Sequence, residues 1–69
     1  MDVFYVAACN GKDVLDELNN GSAYCYKTLD LLLDEMSSNG DKHSNYTVYT
    51  LTISDIGKIV VKLESNLSA

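Results

Sequence analysis

The residue types able to do chemistry are few and scattered: two cysteines, Cys9 and Cys25, one histidine, His43, and two carboxylates one helical turn apart, Asp30 and Asp34. Nucleophilic catalysis needs a proton acceptor beside a thiol or hydroxyl, ordered by a further group. His43 stands in the polar run Asp41-Lys42-His43-Ser44, which reads as a solvated loop, whereas each cysteine lies in an apolar, strand-like run. No spacing brings thiol to imidazole. Structural zinc takes a full set of closely spaced Cys or His ligands, and three such residues spread along the chain do not supply one. Asp30 and Asp34 could hold Mg²⁺ or Ca²⁺ between them, but two carboxylates on an open helix face are ordinarily a solvated surface, here with Lys27 placed to pair with Asp30 or the neighbours of Leu31. The glycines are isolated turn residues, not a phosphate-cradling cluster. The expectation is a non-enzymatic chain, with no catalytic residue, metal or cofactor.

Charge narrows the partners. Ten carboxylates against five basic residues, all of them lysine, leave a net charge of −5 on 69 residues. Direct nucleic-acid binding is disfavoured, because phosphate contacts need clustered Lys or Arg. An acidic domain is instead steered toward basic surfaces on other proteins, including those that handle nucleic acid. No apolar run approaches the ~20 residues that span a bilayer, so no membrane role is expected. Met1-Asp2-Val3-Phe4 carries an acid where a secretory leader needs Lys or Arg, which predicts a cytoplasmic protein with reduced, buried thiols and makes the three N-glycosylation sequons (at Asn20, Asn45 and Asn66) accidental.

The elements follow from the turn signals. Asn-Gly occurs three times, at Asn10-Gly11, Asn20-Gly21 and Asn39-Gly40, and divides the chain into four blocks. Val3–Cys9 is β-branched and aromatic, which predicts an inner strand. Asp13 can cap a short helix over about 13–19, carrying Val14, Leu15 and Leu18. Ala23–Tyr26 reads as a strand and Thr28 as an N-cap. Leu29, Leu32, Leu33 and Met36 then recur at helical spacing, which predicts a main helix over about 29–38, ended by Asn39 or Gly40. After a polar loop, Gly40–Asn45, the runs Tyr46–Ile53 and Lys58–Glu64 form a hairpin through Ser54–Gly57. Alternation turns Ile59, Val61 and Leu63 inward, with Val60 as the exception. Asn66–Ala69 reads as a frayed tail.

These readings predict a single small α+β domain over residues 1–69: a mostly antiparallel sheet of three to four strands with the main helix packed on one face. Pattern alone leaves strand order open.

Two features suggest where a partner would bind. Projected at 100° per residue, Leu31 falls among Asp30, Asp34 and Glu35, away from the apolar stripe, as an apolar anchor ringed by carboxylates. Tyrosine is enriched at interfaces, and among five tyrosines Tyr24 and Tyr26 share a strand face, although two or three are expected to be buried as core volume. In composition the chain is similar to small phage-encoded accessory proteins that bind and inhibit host enzymes. That similarity implies a phage- or mobile-element-type inhibitor, acting in the host cytoplasm by covering a basic surface of a larger nucleic-acid-handling protein. It carries no motif and assigns no residue. The alternative is a structural or self-assembling accessory protein that acts as a homodimer through a strand edge or the outer helix face.

Overall fold

A strand flanked by apolar layers on both sides must be apolar at successive positions, and β1 (Asp2–Cys9) is, with Val6, Ala7 and Ala8 all fully buried. In the computed structural model, which describes residues 2–66, β1 is an inner strand of a four-stranded antiparallel sheet of order β2-β1-β3-β4. The other strands are β2 (Tyr24–Tyr26), β3 (Tyr46–Ile53) and β4 (Ile59–Asn66). Asp2 lies opposite Ile53 and Cys9 opposite Tyr46, so β1 and β3 pair along their whole length. The expected hairpin is present. Its Ser54–Gly57 connection is closed by the Gly57 amide donating to the Ser54 carbonyl at 2.9 Å, and the Lys58 amide donates to Ser54 Oγ at 3.0 Å.

Two helices cover opposite faces of this sheet. Helix α2 (Leu29–Ser38) puts Leu32 and Met36 on Ala7 and Val48, with Tyr5, Tyr24, Tyr26, Leu29, Leu33 and Tyr46 around them. The shorter α1 (Val14–Asn19) lies on the other face, where Val14 meets Val6, Ala8 and Leu51, flanked by Phe4, Leu18, Ala23, Tyr49, Ile53 and Val61. Each helix ends in the same way. The Gly21 and Ser22 amides bond back to the Leu18 and Glu17 carbonyls, and the Gly40 and Asp41 amides to Ser37 and Met36. This is a Schellman closure with glycine at the left-handed position, φ +73° at Gly21 and +76° at Gly40; Asn20 and Asn39 stay right-handed.

The starts of the helices differ. Thr28 accepts the Leu31 amide on its hydroxyl at 3.2 Å, as a capping threonine should. Asp13 occupies the matching position before α1, but its side chain makes no capping bond.

Several expectations need correction. The Gly40–Asn45 loop holds a 3₁₀ turn, His43–Asn45. Asn66 closes β4 instead of beginning a tail, and the other expected tail residues, 67–69, lie outside the described residues. No tyrosine is fully buried: all five are half-buried. Ile59 and Leu63 do point to the α1 side of the sheet, but they are 54% and 68% exposed, because α1 packs against β1, two strands away from β4.

Candidate partner-binding face

Helix α2 buries one side and shows the other. Leu32 and Met36 are inaccessible, Leu29 and Leu33 half-buried, and Asp30, Leu31, Asp34 and Glu35 exposed. Leu31 is 51% exposed. The spacing of Leu29, Leu32, Leu33 and Met36 fixes this outcome, since packing that stripe on the sheet turns Leu31 outward. Asp30 lies in the first turn, where the helix dipole favours a negative charge.

Tyr24 and Tyr26 do not join that outer face. Both point from β2 toward the underside of α2 and pack against the Leu32 and Met36 cluster. The Tyr24 hydroxyl donates to the Asp41 carboxylate and accepts from the Asn39 side-chain amide at 3.1 Å, while its ring meets Tyr46 edge-on at 5.9 Å. The bond to Asp41 raises the Tyr24 pKa. Desolvation, with the Cys9 thiol beside it, pushes Tyr46 up to about 12. These rings tie β2, β3 and the C-terminal end of α2 together, and four of the six expected contact residues remain as one surface.

Lys27 is also not where the helix pattern put it. Its ammonium lies 4.6 Å over the Phe4 ring and 3.7 Å from Asp2, on the opposite side of the sheet from α2. Residues distant in sequence outcompeted the local pair, as a cation over an aromatic face can, at about 0.5–1 kcal/mol.

The remaining reactive groups stay apart. Cys9 is half-buried and Cys25 exposed, both as free thiols. The expected burial of Cys25 fails because β2 has only three residues at the sheet edge, and its two tyrosines take the covered side. Cys9 pairs with Tyr46 in the α2-side layer, whereas Cys25 lies opposite Val6 on the other face, so no bridge joins them within one chain. Partial burial pushes the Cys25 thiol up, which lowers its thiolate fraction. His43 is half-buried rather than fully solvated, and its Nε2 lies 3.3 Å from Ser37 Oγ. Among the described residues no three His, Cys, Asp or Glu side chains come together, and no pocket is present. No helix of the structure is long and apolar enough to cross a membrane.

The residues that the sequence reading missed are on the α1 side, where Ile59 and Leu63 continue an apolar surface to the edge of the sheet. Alternation signalled their face. Compared with known proteins, the chain matches no family model, no curated protein and no solved structure. The fold itself defines the class: a small α+β domain with an antiparallel sheet between unequal helices.

Proposed function

We propose that this chain is a non-enzymatic protein-binding module, an inhibitor of the phage or mobile-element kind, whose α2 face covers a basic surface on a larger nucleic-acid-handling protein. The observation that carries the reading is Leu31, half exposed on a helix whose neighbouring outward residues are Asp30, Asp34 and Glu35. An apolar centre with a charged rim is the anatomy of a contact site: the centre holds the partner and the rim steers it. The net charge of −5 acts in the same direction, raising the encounter rate with a basic surface.

Affinity capture from host lysate at rising salt tests this. The expected result is one large basic protein whose retention falls with salt, weakens by roughly tenfold with Leu31→Ala, and loses its salt dependence with Asp30→Asn, Asp34→Asn and Glu35→Gln combined. A partner retained equally by all these variants would overturn the assignment to α2.

A further inference from the structure

Beyond the reach of the helices, the two sides of the sheet differ in character. On the α2 side, β3 and β4 mix polar and apolar residues, with Thr50 opposite Lys62 and Thr52 opposite a Val60 that is 37% exposed. On the α1 side they stay apolar, with Leu51 opposite Val61 and Ile53 opposite Ile59, and then Leu63 opposite Tyr49. Solvated sheet faces are ordinarily polar, so this apolar continuation requires an explanation. It runs to β4, the last strand of the sheet, whose outer edge presents unpaired backbone groups.

We propose that a second copy of this chain pairs with the outer edge of β4, antiparallel and centred with Val61 opposite Val61, to form a continuous eight-stranded sheet. The regular part of the edge selects this register. Val48 pairs with Ser65 and Tyr49 with Leu63, so Glu64 is an extra residue that interrupts the ladder, and the Ser54–Gly57 turn bounds the other end. The uninterrupted stretch is Ile59–Leu63, and Val61 is its midpoint. Centring there sets Ile59 against Leu63 of the second copy, twice by symmetry, and so gives an apolar cross-strand neighbour to each of the two exposed side chains. It also brings Lys58 and Glu64, which flank the regular stretch, close to each other at both ends, as opposite charges. A shift by two residues toward the C-terminus would instead set Lys62 against Lys62. The pairing is self-complementary, as a two-fold interface must be. Because the axis stands perpendicular to the sheet, both α2 helices fall on the same side, and the dimer would present two copies of the Leu31 face together.

Sedimentation equilibrium of the full chain, from about 1 μM to about 1 mM, is the test, since a short edge pairing belongs to the weak class of interfaces. A reversible dimer is expected. Lys58→Glu alone and Glu64→Lys alone should each weaken it about tenfold by setting like charges close to one another, and the double variant should restore it to within about threefold. Leu63→Ser, at an exposed site that leaves the monomer folded, should weaken it about tenfold or more. Leu31→Ala, on the other side of the sheet, should leave it unchanged, which separates this proposal from that for α2. A wild-type chain that stays monomeric throughout would overturn the proposal. So would a dimer that ignores the charge swap, which indicates face-to-face packing, or one that depends on Leu31.

Discussion

The two faces of the sheet are built from similar residues but finished differently. Under α2 the core is closed: Leu32, Met36, Ala7 and Val48 are inaccessible, and the strand surface beyond the helix mixes Thr50, Thr52 and Lys62 with the partly exposed Val3 and Val60. Under α1 the core closes only near β1, around Val6, Ala8 and Val14, and the strand surface stays apolar past the end of the helix. The ten-residue helix leaves Val3 and Val60 42% and 37% exposed on its side, and the six-residue helix leaves Ile59 and Leu63 54% and 68% exposed on the other. The α2 side is thus closed within one chain, while the α1 side leaves Ile59 and Leu63 exposed at the edge of the sheet.

Substitutions should separate the two sides. The largest effect is expected from Leu32→Ala, which opens a cavity in the closed layer and should cost about 2–5 kcal/mol in urea unfolding. Gly40→Ala should cost about 1–2 kcal/mol through the left-handed backbone alone, because an added Cβ there meets no atom within 4 Å. Thr28→Ala should cost about 1 kcal/mol by removing the cap of α2, and Asp13→Ala less, since its side chain caps nothing. Equal losses at these two positions would erase the distinction between the helices.

A further difference is confined to alkaline solution. The folded chain holds Tyr46 at about 12 against an ordinary 10.0, so its contribution is intact below about pH 10 and is lost as pH rises toward 12, where the unfolded chain ionises first. Stability measured across that window should fall less steeply for Tyr46→Phe than for the wild type. The smallest effect belongs to the open side: Leu63→Ser should change the stability of the isolated monomer by no more than about 0.5 kcal/mol.

What could be read from the sequence was local. The Leu29, Leu32, Leu33 and Met36 spacing, the Thr28 cap and the Asn39-Gly40 end of the main helix all lie within a few residues of what they determine, and each stands in the structure as expected. Exposure of Leu31 follows from the same geometry. Long-range choices were hidden. Nothing near Lys27 in sequence announces Phe4, and nothing near Tyr24 announces Asp41 or Tyr46. Alternation in β4 places Ile59 and Leu63 on one face, but whether that face is covered depends on which strand α1 packs against, a helix some forty residues earlier. For the same reason the edge position of β2, and with it the exposure of Cys25, could not be read from local pattern.

The pairing of β1 with β3 also constrains the order of events. The strand nearest the centre of the molecule is the earliest in the chain, yet its principal partner begins only at Tyr46, after both helices. The most apolar strand therefore depends on a partner some forty residues away, while the β3–β4 hairpin can zip up by itself. Folding should be limited by the late capture of that first strand, a slow step for so small a chain.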